Sequence, residues 1–146
     1  MKKDLSTDNI LPVITLYQPW ATWIMRGWKT IETRTHSRFS CLKGQRILIH
    51  AGLKTDPHAL HVPYLTLEQL LLNPDEMVNG YILGSAFVKD FRLLNESDSE
   101  AALIECKTQR WGLFLEDIKI WKYPIPEKGS MGIWHYDVDN SIKVRY

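Results

Sequence analysis

A chain of 146 residues, 45% hydrophobic and 24% charged, falls in the ordinary globular range and is long enough to bury one core. Its formal charge of +1 argues against a uniformly basic nucleic-acid coat, and Cys41 and Cys106, far apart with no CxxC, argue against a zinc ribbon or disulfide framework. No apolar run reaches the length of a membrane span, and the N-terminal "MKKDLSTDNIL" has two lysines without an apolar segment behind them, so a cytoplasmic protein with no membrane partner is expected.

Residues 1–11 are polar and read as a flexible tail, followed by a domain over 12–137 and a C-terminal strand or tail over 138–146. "LPVITLY" (11–17) is β-branched and apolar, which predicts a first strand. Gln18-Pro19 then changes the period. Pro19 suits a first helical position, Trp20, Trp23, Ile24 and Gly27 follow at i, i+3, i+4 and i+7, and Gly27 suits the left-handed residue that stops a helix of about two turns. "KTIETRT" (29–35) and "GQRILIHAG" (44–52) read as strands, and 53–64 as a loop broken by Pro57 and Pro63. Thr66 with Gln69 three residues on gives a capping-box start for a second helix ending at "LLLNP". "GYILGSAFVKDFRLL" (80–94) predicts a long strand with a bulge at Gly84, and "NESDSEAALIEC" a short helix capped by Ser97 with Glu100. The stretch 110–137 predicts two or three strands interrupted by Pro124, Pro126 and Gly129. Strands outnumber helices, so the expected class is α+β, mostly β: a small barrel with short helices at its mouth.

The charge is unevenly spread. Arg26, Lys29, Arg34, Arg38, Lys43, Arg46 and Lys54 face one acid, Glu32, within residues 26–54, a local net charge of +6. This suggests a local anion site, if the fold gathers these side chains. Glu32 and Arg34, two apart on a strand, share a face, and Lys29 joins them if it lies in the turn after Gly27. As a general base Lys29 must lose roughly three pKa units, about 4 kcal/mol. Glu32 opposes that by favouring the ammonium, so a charged lysine holding phosphate or a carbonyl is the better reading, with a surface Lys–Glu pair as its plain alternative. Trp20 and Trp23 read as core, whereas Trp28, beside Gly27 and Lys29, is the indole expected to be exposed and able to stack a base. Asp56, His58 and His61 have metal-like spacing, but the prolines make their segment a loop and no strong third ligand group is near, so no metal or cofactor is expected. His50 reads as a core or rim histidine. Glu116 and Asp117, being adjacent, would face opposite ways, leaving one able to enter a cavity.

"GWKTIETR" (27–34) resembles the G-x-K-x-x-E-x-R signature of the ASCH domain, a branch of the PUA-like fold. The flanks are similar too: "LYQPWATWIM" before it, then "GQRILIHAG", "GYILGSAFVKDF" and "WGLFLEDIKIWKYPIPEKGSMGIW" in family order. The resemblance covers about residues 12–137. It implies a five- or six-stranded β-barrel with two or three short helices, and a cleft between the first helix and the barrel. Because related PUA-like domains bind RNA, it also implies RNA, a nucleotide or a modified nucleoside as the partner. Carried over, the cleft residues are Lys29, Glu32 and Arg34, with Gln18, Trp20 and Trp28 on the aromatic side and Lys128 at the rim, the last three more by adjacency than by motif. Some members are hydrolases of acylated cytidine that use the signature lysine and a threonine three residues later. Here Glu32 stands at that position, so the threonine nucleophile of that branch is missing. The leading expectation is an RNA- or nucleotide-binding module. The alternatives are a hydrolase of RNA or acylated cytidine, with Lys29 and Glu32 catalytic, and a protein-interaction module using the aromatic patch.

Overall fold

In the computed structural model, residues 9–57, 59, 77–107 and 109–145 are described. The helix expected from Thr66, and the histidines at 58 and 61, lie outside them. Strand β1 (Ile10–Gln18) buries Val13, Ile14 and Leu16, and so offers apolar groups to both faces of a sheet. β3 (Arg46–Thr55) is buried without a break from Ile47 to Gly52. Two such strands belong in the middle of a sheet. They pair in parallel, while β4 (Tyr81–Leu93) lies antiparallel to β3 and β6 (Ile133–Asp137) antiparallel to β1. With β2 (Ile31–Arg34), β5 (Trp111–Pro126) and β7 (Ile142–Val144), the hydrogen-bonded order is β2-β5-β4-β3-β1-β6-β7.

The mostly-β class with few helices is therefore observed. The strand count is seven, above the five or six expected, because β6 and β7 form a closing hairpin. The sheet does not close: among the described residues β2 and β7 are its edges and no ladder joins them. It nevertheless wraps around one core. Phe39 and Leu42, from the turn after β2, pack in the same cluster as Ile14, Ile24, Ile49 and Leu113. A second cluster, built on Val13, Leu48, Ile82, Trp134 and Tyr136, covers the opposite face of the central strands.

Helix α1 (Trp20–Met25) buries every residue after Trp20, and Gly27 stops it at φ +75°. Pro19 stands one position earlier than expected, immediately before the helix, where its carbonyl accepts from the Trp23 N–H at 2.9 Å. The cap at 95–98 also differs. Asn95, not Ser97, accepts from the turn, with Asp98 reciprocating, and helix α2 (Ser99–Ala102) follows. β5 runs straight through Pro124 to Pro126, because this half of the strand extends beyond its ladder with β2 and the β4 ladder shifts register there. A proline costs little where no partner needs its N–H. The bulge at Gly84 is present as a register shift, and a Cβ there would stand 2.1 Å from the Lys119 carbonyl oxygen.

Candidate functional site

Because the chain turns at Gly27, Lys29 arrives before β2 with its amine directed inward. It is 3% exposed; its Nζ donates to the carbonyl of Ala102 at the end of α2 and lies 4.9 Å from the Trp20 ring centroid. Glu32 Oε1 stands 3.9 Å from that amine, and Glu32 Oε2 stands 3.3 Å from Nη2 of Arg34. The structure thus brings Lys29, Glu32 and Arg34 together as a chain of alternating charges. Burial lowers the Lys29 pKa to about 8, with Glu32 holding it up against that pull. Arg34 also lies over the Phe39 ring at 4.8 Å, and its Nε has no partner among the described residues.

Gln18, Trp20, Trp28 and Lys128 have separate fates. The Gln18 side chain is fully buried: Oε1 accepts from the Thr22 N–H, and Nε2 donates to Thr22 Oγ1 and to the Val78 carbonyl. That amide fastens the start of α1. Trp20 packs edge-on to Trp23 and donates its indole N–H to Asp56 at 3.1 Å. Trp28 is half-buried, with the Arg26 guanidinium over its ring at 5.4 Å. Lys128 is exposed, and it is the one of the four that borders a large cavity.

That cavity, about 1010 Å³, lies where the turn after β2 meets β1, β3 and the β5–β6 connection. Of the three signature residues only Arg34 lines it; Lys29 and Glu32 stand behind Arg34. Arg38, Lys54 and Lys128 supply three more cations, and among the described residues Glu127 is the carboxylate in the wall. Tyr17, Phe39, Leu53 and Met131 give it apolar surface. Thr15 and His50 also line it.

The basic segment of the sequence is therefore not one patch. Arg34, Arg38 and Lys54 reach the cavity, while Lys43 pairs with Asp90 at 3.2 Å and Arg46 pairs with Asp117. Glu116 and Asp117 are both exposed and neither lines the cavity, because Asp117 sits at a bulge with φ +47°, where strict alternation fails. Among the described residues there is no cluster of metal-ligating side chains, and no helix is long and apolar enough to cross a membrane. Sequence reasoning did not assign Thr15, Tyr17, His36 or Met131 to a site. Arg38 and Lys54 were visible only as part of a charge count.

The ASCH domain family matches this chain over residues 14–126, from the middle of β1 to the end of β5. The chain belongs to the ASCH domain family. This ASCH domain is similar to the crystal structure of ASCH from Zymomonas mobilis, with a TM-score of 0.52 at 19% identity over 79% of this chain and 72% of that one. A serine-to-alanine mutant of the Zymomonas mobilis protein gives 0.51 at 20% identity over 82% and 75%. A tyrosine-to-phenylalanine mutant gives 0.52 at 18% over 79% and 74%. At such identities the likeness carries the fold alone. No curated protein matches the chain.

Proposed function

We propose that this ASCH domain is an RNA- or nucleotide-binding module whose ligand occupies the cavity beside Arg34. One observation carries the reading: Arg34 and Arg38 from β2 and the turn after it, Lys54 from β3 and Lys128 from the β5–β6 connection border one cavity, to which Glu127 alone among the described residues contributes a carboxylate. A volume of about 1010 Å³ suits a nucleotide-sized ligand. Cations hold phosphate, and the apolar surface of Tyr17, Phe39, Leu53 and Met131 receives a base. Arg34 spends Nη2 on Glu32 and keeps Nε for a ligand oxygen. Glu32 and Lys29 then act from behind, fixing the guanidinium. The resemblance of ASCH to RNA-binding PUA-like domains supports the same class.

Hydrolysis of RNA or acylated cytidine through Lys29 has less support. With a pKa of about 8 the amine is still mainly ammonium at pH 7, roughly tenfold over the neutral form. Its protons are directed to Ala102 and Glu32, and it does not border the cavity. A charged lysine of this kind organises a site and does not take a proton.

The test is equilibrium binding of a labelled single-stranded RNA hexamer to the full chain by fluorescence anisotropy, beside an Arg34→Gln variant shown to be folded. Saturable binding that weakens at least about tenfold in the variant is expected, as a charge-assisted contact to phosphate is lost. Equal binding by both proteins, or none by either, overturns the proposal.

A further inference from the structure

We propose that Thr15 and His50 form a ribose-reading pair in the cavity wall, which makes the site select ribonucleotides over deoxyribonucleotides. This rests on the nucleotide-binding reading above and adds a specificity element outside the signature residues.

Thr15 and His50 are direct partners in the parallel ladder between β1 and β3, so their side chains leave the sheet on the same face. His50 is 1% exposed, and its Nε2 lies 2.7 Å from the carbonyl oxygen of Glu127. A carbonyl only accepts, so Nε2 carries the proton and Nδ1 is left with a lone pair. Nδ1 is buried and has no partner among the described residues. The ring is held from the side by Trp134, edge-on at 5.4 Å.

Trp134 also donates its indole N–H to Thr15 Oγ1 at 3.0 Å. The Thr15 oxygen is thereby used as an acceptor, which leaves its own proton to donate. The pair is an acceptor beside a donor. Gly129 backs on both: a Cβ at that position would stand 2.9 Å from His50 Nδ1 and 2.9 Å from Thr15 Oγ1. Any side chain at 129 would strike these two atoms, and both residues, with Gly129, belong to the cavity wall.

A buried imidazole nitrogen without a donor is costly to leave unmet. A ribose 2′-hydroxyl meets it. The hydroxyl donates to Nδ1 and accepts from Thr15. The phosphate attached to that sugar falls to the cations, of which Lys128 is next to Gly129 in the chain. A deoxyribose lacks the one donor that Nδ1 needs. A site built to bond a hydroxyl rejects the analogue that lacks it, and this is how a protein separates RNA from DNA.

The experiment compares the affinity of the full chain for an RNA hexamer and for the same sequence with 2′-deoxyribose, in wild type, Thr15→Val and Thr15→Ser. Wild type should bind RNA at least about tenfold more tightly than the deoxy form. Thr15→Ser keeps the hydroxyl and should keep the ratio, whereas Thr15→Val should bring it towards one. A purely structural role for Thr15 would lower both affinities together and leave the ratio standing, which overturns the pair. Equal affinity of wild type for both hexamers also overturns it, while the nucleotide-binding reading survives. Failure to bind either hexamer overturns both.

Discussion

Glu32 and Arg34 stand two residues apart on β2 with Oε2 and Nη2 3.3 Å from each other, and only Arg34 reaches the cavity. The carboxylate is almost wholly buried, because its other oxygen faces Lys29. One acid therefore compensates two cations, one enclosed and one presented to a ligand. Its removal has consequences at both ends.

Glu32→Ala should destabilise the fold by roughly 3 kcal/mol, since it leaves the Lys29 ammonium buried without a counter-charge. Replacing both, as Lys29→Met with Glu32→Leu, should recover most of that loss, because no uncompensated charge remains. Urea denaturation of Lys29→Met, Glu32→Leu and their double variant, read as a cycle beside Glu32→Ala, checks this. Losses that simply add would show that the two groups are not coupled.

The Lys29 amine fixes a pH dependence. Its pKa is lowered in the folded chain from 10.5 to about 8, so between those values the unfolded chain binds more protons than the folded one. Stability then rises with pH across that window, and the cost of burying the ammonium is fully present below about pH 8. Wild type should gain on the order of 3 kcal/mol relative to Lys29→Met between pH 8 and pH 10.5. Thermal or urea melts of both proteins across that range test the sign, and parallel curves would refute it.

Arg38→Ala and Lys54→Ala change exposed side chains at the cavity and should leave stability within about 0.5 kcal/mol. Each should weaken binding of a single-stranded RNA hexamer and reduce the slope of log affinity against log salt by about 0.7, one phosphate contact's worth. Lys43→Ala, at the Asp90 pair away from the cavity, serves as the control and should change neither.

At Gly84 the backbone of β5 comes too close for any side chain. A Cβ would meet the Lys119 carbonyl oxygen at 2.1 Å and Ile120 Cα at 3.0 Å, and neither can rotate away. Gly84→Ala should cost at least about 2 kcal/mol through forced separation of β4 and β5. Gly129→Ala meets instead the side chains of His50 and Thr15, so its effect should fall on ligand affinity as well as on stability. Melting temperatures of the two variants, set beside their RNA affinities, separate these cases.

The sequence by itself determined the elements whose reasons are local. The apolar run of β1, the glycine that stops α1 and the glycine at the bulge of β4 each follow from what one stretch of chain can adopt, as does the meeting of Lys29 with Glu32 across a turn of three residues. The eight-residue signature and its flanks carried the family for the same reason. Local rules failed where a neighbour decides. Pro124 sits inside β5 because no strand asks for its N–H, and Gln18 is spent on Thr22 and Val78 and so does not line the cavity. The cavity was beyond local reading altogether. Thr15 and His50 meet through the parallel ladder of β1 and β3, Arg34 arrives from the far edge of the sheet, and Lys128 comes from the β5–β6 connection. Residues so far apart in the chain are brought together by pairing and curl of a whole sheet, and those are properties of tertiary contacts that no single segment contains.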